Sequence, residues 1–451
     1  MNEQELKEMQ AEMLSRLLED GNIEALKEKL IDIHPADIAT LLDEMMPETA
    51  VAIFQLLPIE IASEVLDETS GPTRQILVEQ VDDEQLADLL DELPMDDAAE
   101  FLEDLPEPVA DRLLDLMEPE EAEEVRELLG YEEETAGRLM TRDVVALRRQ
   151  WTVEETFNFL RSLEDVETLH YLYVVDRYDR LIGVVPLRQL ILAKPDATIE
   201  SIMNPDVVAV PVTADQEELA ELVSRYDYFA MPVIDSKGRL LGVVTVDDVL
   251  DVLEEEATED IQRLGGSEPL EQPYFSASLM HVVRKRIGWL LLLFVAATLT
   301  GTVLRFFEKE LQLVVSLSFF IPLITGTGGN AGSQVVATII RAITLGEVRL
   351  SNLGHAWRRE VSAGIVLGIV MGIVGFVRAM LWQTGLDVAF VVTITLPIVV
   401  IWSSTIATIV PILADRFHID PTVISGPMIA TFVDTSGLLI YFWLAKLILK
   451  I

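Results

Sequence analysis
The sequence predicts a multidomain, mostly α-helical membrane protein, and three observations carry that expectation. Its 451 residues amount to about three domains at ~150 residues each. The net charge of −43 divides into −46 over residues 1–265 and +3 over residues 266–451, so an acidic front half precedes a nearly neutral back half. Apolar runs approaching the ~20 residues needed to cross a bilayer begin only near residue 286, whereas the front half holds two different internal repeats. The expected order is an acidic superhelical helical array at 1–135, a tandem α+β pair at 136–250 (copies 136–198 and 199–250), an acidic connecting helix at 251–274, and a five-helix transmembrane domain at 275–451.

The array comes from a recurring Pro-x-acid unit. His34-Pro35-Ala36-Asp37, Met46-Pro47-Glu48, Pro58-Ile59-Glu60, Pro94-Met95-Asp96-Asp97, Pro106-Glu107 and Pro119-Glu120 recur, several of them 11 to 13 residues apart. Proline is tolerated in a helix's first turn, and an acid there suits the macrodipole, so each unit reads as a helix start. Helices of about ten residues with Leu, Ile and Ala on one face cannot bury that face alone and should stack. So many carboxylates repel a phosphate backbone, which excludes nucleic acid as a partner and favours cations. The chain has no cysteine, so disulfides and thiolate metal sites are excluded as well. For any single acid, a solvated face is the bland alternative.

The second repeat sets Leu139-Met140-Thr141, Tyr173-Val174-Val175-Asp176 and Gly183-Val184-Val185 beside Ile202-Met203-Asn204, Pro232-Val233-Ile234-Asp235 and Gly242-Val243-Val244. Each copy alternates β-branched runs with a helical stretch. The pattern resembles a tandem pair of CBS domains, βαββα modules that often bind adenine nucleotides such as ATP. The family's ribose-gripping hydroxyl and acid appear as Thr245 and Asp248 in the second copy but as Pro186 and Gln189 in the first. Arg188 remains for a phosphate, and Tyr171 or Tyr228 for a base, unless the tyrosines belong to the module's core.

Behind the second copy, Leu250, Leu253, Ala257, Ile261 and Leu264 make an apolar stripe on a helix otherwise dense with acids, ending at Gly265-Gly266. Five spans are then expected: 286–307, 311–345, 360–382, 388–413 and 422–449. The second is long, about 52 Å at ~1.5 Å per residue, so it should tilt or break, with Gly326-Thr327-Gly328-Gly329-Asn330 marking the place. Arg284, Lys285 and Arg286 precede the first span, while Arg341, Arg349, Arg358 and Arg359 lie near the turn between the second and third. By the positive-inside rule that side is cytoplasmic, as the polar opening MNEQELKEMQAEML also argues. The expected location is the plasma membrane in contact with lipid, acidic half inside and C-terminus outside.

Asp434 lies deep in the last span with no Lys or Arg within ten residues, an expensive position for an ionisable group and therefore a functional candidate. Small or polar residues, Gly426, Ala430, Thr431, Ser436 and Gly437, stand beside it. The glycines around Asn330 read either as irregular backbone along a water-filled pathway or as small-residue helix packing.

Pro322-Leu323-Ile324-x-Gly-Thr-Gly-Gly-Asn330-x-Gly-x-Gln334 and Ala430-Thr431-x-x-Asp434-x-x-Gly437, behind an acidic array, tandem CBS modules and an acidic helix, together resemble the bacterial MgtE magnesium channel family over nearly the whole chain. The resemblance implies a homodimer whose pore is lined by the second and fifth spans, with Asp434 from both subunits, beside Ala430 and Asn330, holding a largely hydrated Mg2+. It also implies cytoplasmic sensing carboxylates at Asp215, Glu217, Asp227, Asp248, Asp251, Glu256, Glu259, Asp260 and Asp420, joined in the array by Glu60, Glu92 and Asp96 and by the carbonyl of Gly137. The chain departs from the family at Gly426, where a relative carries Asn. Three readings follow: a Mg2+ channel gated shut by cytoplasmic Mg2+, a divalent-cation exchanger, or a non-conducting membrane-anchored CBS sensor. No nucleophile-base-acid constellation marks an enzyme.

Overall fold
In the computed structural model, which describes residues 3–69, 71–163, 168–270, 274, 277–417 and 419–451, the chain divides into two units between Glu256 and Ala257. The front unit opens with ten helices: α1 (Glu3–Glu19), α2 (Ile23–Ile31), α3 (Pro35–Asp43), α4 (Pro47–Phe54), α5 (Ile59–Glu68), α6 (Gly71–Gln80), α7 (Asp83–Asp91), α8 (Met95–Glu103), α9 (Glu107–Leu114) and α10 (Pro119–Leu128). Pro35, Pro47 and Pro119 stand in the first turns of α3, α4 and α10, and Pro58, Pro94 and Pro106 cap α5, α8 and α9. Proline fits there because its missing N–H would have no intrahelical partner. Helices two apart pack together, α3 on α5, α5 on α7, α7 on α9 and α8 on α10. They bury Leu41, Phe54, Leu66, Leu90 and Phe101 between them.

Two α+β modules follow. The first has β1 (Ala146–Arg148), α11 (Val153–Leu160), β2 (Tyr171–Val175), β3 (Leu181–Pro186) and α12 (Leu187–Leu192); after α13 (Ile199–Ile202), the second has β4 (Val210–Pro211), α14 (Gln216–Tyr226), β5 (Ala230–Ile234), β6 (Leu240–Thr245) and α15 (Val246–Leu264). In each sheet the first strand pairs parallel and the last antiparallel to the central one, and both slip register near its end, at Val174/Val175 and Val233/Ile234.

The copies exchange edges. Thr141 N donates to Val243 O at 2.8 Å, and Val184 N donates to Asn204 O at 2.9 Å. The two repeated glycines make this possible. A Cβ on Gly183 would lie 2.8 Å from Met203 Sδ, and one on Gly242 would run into the Thr141 carbonyl. The repeated Met-Thr/Asn and Gly-Val-Val segments are thus the two halves of one cross-copy contact.

The second unit carries α16 (Leu279–Phe306), α17 (Glu308–Leu313), α18 (Ile321–Thr344), α19 (Leu353–Leu381), α20 (Leu386–Arg416) and α21 (Gly426–Leu449). Among the described residues, α16, α19, α20 and α21 are long and apolar enough to cross a membrane. The 24-residue α18, rich in Gly, Thr, Ser, Asn and Gln, is not in that set. Several helices also outrun the expected spans. Arg284, Lys285 and Arg286 lie inside α16, and Arg358 and Arg359 inside α19, because a helix does not stop where apolarity does.

One expectation is corrected. Residues 311–345 are not one helix broken at the glycines: the break falls earlier, in a 3-10 turn at Val315–Phe320, and α18 runs regularly through Gly326–Asn330. Gly328, Gly329 and Gly332 face neighbouring helices, whereas a Cβ on Gly326 would meet nothing within 4 Å. A Cβ on Gly328 would lie 2.7 Å from Val399 Cγ1 and 2.9 Å from Val433 Cγ1, and one on Gly332 2.7 Å from Ser403 Oγ. Small-residue packing therefore governs this stretch, letting α20 and α21 approach without breaking the α18 ladder.

Candidate functional site
The helix α21 starts at an N-cap, Ser425, with Pro427 in the first turn, and its regular spacing puts Ala430 and Asp434 one above the other. Both face α18. A Cβ on Gly329 would stand 3.2 Å from Ala430 Cβ and 3.4 Å from Asp434 Oδ1. Asn330, the next residue of α18, is exposed on the single chain, and Asp434 is half-buried. No basic side chain pairs with Asp434 among the described residues. The neighbourhood is polar in a helical frame: Ser403 Oγ donates to Gly328 O (2.7 Å), Ser333 Oγ to Gly426 O (3.2 Å) and Trp402 Nε1 to Ser436 Oγ (2.9 Å), while the Thr300 and Thr435 hydroxyls lie 2.7 Å apart. A single uncompensated carboxylate among hydroxyls and carbonyls attracts a cation and can hold it through its waters.

The front unit gathers a second set. Asp96, buried in the first turn of α8, and Asp97 meet Asp248 of α15, with one ligand oxygen from each inside 4.8 Å of the others; this is the one such trio among the described residues. Asp97 was not among the sensing residues expected from sequence, although its place beside Asp96 was the available signal. Asp248 accepts from Thr245 N at 3.1 Å and Thr245 Oγ1 at 2.5 Å, so the expected ribose-gripping pair is bonded to itself beside the array's acids. Burial pushes the Asp248 carboxyl up to about 6 against the pull of the Thr245 hydrogen bonds, with Asp247 and Asp251 repelling in the same direction. Asp67 is likewise raised to about 6, first by burial, with Arg74 opposing and Glu68, Asp251 and Asp248 adding to it.

The remaining expected residues fall into separate places. Asp215 caps α14 by accepting from Glu217 N at 2.9 Å, Glu217 itself is exposed, and Asp227 ends that helix in the left-handed region at φ 54°. Glu256 accepts from Gln216 Nε2 at 2.9 Å, which ties α15 to the start of α14. Gly137 N donates to Val212 O at 2.9 Å, and a Cβ there would lie 2.5 Å from Val212 Cγ2. Asp251 is exposed, as are Glu60 in α5 and Glu92 at the end of α7; Asp260 lies on α15. Glu259 and Asp420 share one guanidinium, that of Arg263.

Tyr171 and Arg188 do meet, in a cleft of about 600 Å3 that His170, Pro186, Leu187 and Phe229 also line. The Tyr228 ring stands 5.8 Å from that of Tyr171, and His170 lies 4.9 Å from Phe229. The tyrosine that fills the core is instead Tyr173, whose hydroxyl donates to Ala230 O at 3.1 Å. Gln189, in the position of the missing acid, donates its Nε2 to Ile202 O.

Three family models match this order of parts: "MgtE intracellular N domain" over residues 33–134, the CBS domain over 136–196 and 199–255, and MgtE, described as a divalent cation transporter, over 321–444. The magnesium transporter MgtE of Thermus thermophilus is 39% identical over 456 residues, 99% of this chain and 100% of that protein. This chain belongs to the MgtE family. The MgtE of Bacillus subtilis is 31% identical across 95% of both proteins. A crystal structure of the cytosolic domain of the Mg2+ channel MgtE in complex with ATP is 44% identical, with a TM-score of 0.51, covering 54% of this chain and 99% of that one. The soluble part of a magnesium transporter is 31% identical, with a TM-score of 0.52, over 56% of this chain and 99% of its own length.

Proposed function
We propose that this chain carries Mg2+ across the plasma membrane as a channel, and that cytoplasmic Mg2+ bound by its acidic front half shuts it. The observation that carries the reading is Asp434: an acid without a basic partner among the described residues, on a helix long and apolar enough to cross a membrane, facing a glycine of α18. Whole-length relatives named as magnesium transporters support the choice of ion. In this reading α18 is a fifth crossing, its 24 residues reaching about 36 Å at ~1.5 Å rise. Its polar residues face the pathway and the partner of a homodimer, so that Asp434 and Asn330 of two subunits flank one hydrated ion. Two carboxylates reached through water suit Mg2+, which dehydrates reluctantly. Gly426 supplies only backbone, and its carbonyl is already bonded to Ser333.

Gating follows from charge. Without divalent ions the carboxylates of α8 and α15 repel, each close pair costing about 1 to 4 kcal/mol at surface-like dielectric. Mg2+ between Asp96, Asp97 and Asp248 cancels that repulsion and stabilises the compact front unit by linkage. The domain plan of 1–135, 136–250, 251–274 and 275–451 places the connecting helix between sensor and pore. The cleft of Tyr171 and Arg188 takes ATP, as the complex of a 44% identical cytosolic domain supports.

Reconstitution in lipid vesicles or a planar bilayer tests the reading. Single-channel Mg2+ currents that cease when Mg2+ rises on the side bearing the acidic half are expected. Electroneutral uptake requiring a counter-ion would make it an exchanger, and no flux at all would leave only a sensor.

A further inference from the structure
The duplication inside this chain supplies its own comparison for the cleft of Tyr171 and Arg188. In the first module Tyr171 pairs with Pro186 across β2 and β3, and in the second Ala230 pairs with Thr245 across β5 and β6, so Pro186 and Thr245 hold the same place. Three residues on, Gln189 corresponds to Asp248. The second copy closes this turn with a hydroxyl and an acid, Thr245 N and Oγ1 both donating to Asp248 Oδ2. The first copy cannot, because proline has neither an N–H nor a hydroxyl. Gln189 is spent elsewhere, its Nε2 donating to Ile202 O. The amide between them is committed too, Leu187 N donating to His170 O at 3.1 Å.

What the cleft does offer is of another kind. Arg188 brings a positive charge, Tyr171, His170 and Phe229 bring ring faces, and Ile191 and Leu192 bring apolar surface. Among the described residues, no carboxylate and no side-chain amide lines it. A guanidinium suits a phosphate and an aromatic face suits a base, and neither needs the sugar. Reading a ribose takes an acceptor for its hydroxyls, the part that an Asp or Glu plays in dinucleotide-binding folds. We propose that this cleft binds adenine nucleotides by phosphate and base alone, and that Pro186 and Gln189 make it indifferent to the ribose hydroxyls. The inference rests on the reading of the cleft as an ATP site and adds what that site does not discriminate. A site that makes no hydrogen bond to a hydroxyl leaves nothing unpaired when an analogue lacks it, so the analogue is not rejected.

The test is equilibrium binding of ATP and of 2′,3′-dideoxyATP to the full chain in detergent, at one fixed Mg2+ concentration. The parent should bind the two with dissociation constants within about threefold of each other. Arg188→Gln should weaken both alike, by about tenfold, because the phosphates are common to them. Pro186→Thr combined with Gln189→Asp copies the pair of the second module into the first, and this variant should prefer ATP by about tenfold or more. A parent that already prefers ATP to that extent would overturn the inference while leaving the ATP site standing. A double variant as indifferent as the parent would overturn the assignment to these two residues. Saturable binding of neither nucleotide by the parent would overturn the ATP reading itself, and this inference with it.

Discussion

A methyl group placed on Gly329 would sit 3.4 Å from Oδ1 of Asp434, so the backbone of α18 and the acid of α21 border the same small space. Bulk on the first and charge on the second are therefore two independent handles on one site. Asp434→Ala should reduce Mg2+ uptake to under about a tenth of the parent's while the protein still assembles, and Asp434→Asn should lose most of it too, since ion attraction requires the charge. Gly329→Val should block flux with the acid intact. Undiminished uptake by Asp434→Ala in vesicles would remove Asp434 from the pathway.

The sensing acids answer to a different measurement. Neutralising Asp96, Asp97, Asp248 and Asp251 together should raise the Mg2+ concentration that stops flux by about tenfold or more, as expected when several ion-binding groups that stabilise one state are lost. It should also abolish Mg2+ protection of the segment near Gly137 from protease. Closure at the parent's concentration would show that these acids form a solvated face.

The edge exchange between the modules predicts a stability effect far from any ion. Gly242→Ala puts a Cβ into the Thr141 carbonyl. Overpacking of this kind costs about 1 to 3 kcal/mol, which should appear as a lower unfolding temperature in Mg2+-free buffer.

Acidity should partly replace magnesium in the front unit. Asp67 and Asp248 are raised from 3.8 to about 6, so the folded state binds protons between those values that the unfolded state has already released. Stability consequently rises as pH falls through 6 and is lost as pH rises above it. In Mg2+-free buffer the front unit should unfold about 2 to 4 °C higher near pH 5 than near pH 7.5. A lower unfolding temperature at the acid end would contradict the burial of these two carboxylates.

The helical array, the duplicated module and the lone membrane acid were legible because each rests on a local rule. Proline starts helices at Pro35, Pro47 and Pro119 for reasons confined to one turn, and β-branched alternation marks strands within five or six residues. Asp434 stands out by solvation alone. The family resemblance added the ion, and with it the expectation of a homodimer and of a set of sensing carboxylates.

What lay outside the sequence's reach depended on which surfaces meet. The stretch Gly326–Asn330 reads locally as a breaker, yet it is regular helix, with Val399, Val433 and Ala430 of other helices occupying the space that side chains at Gly328 and Gly329 would have filled. Nor does spacing reveal that Asp97 joins Asp96 and Asp248, or that Arg263 already holds two expected cation ligands, Glu259 and Asp420. Which segments become helix or strand, and where charge is costly, could be read from the residues, since those energies are set within a turn or a strand. Which carboxylates share a space and which have a counter-ion emerged with the fold, because Coulomb energy depends on distances that folding creates between residues far apart in the chain.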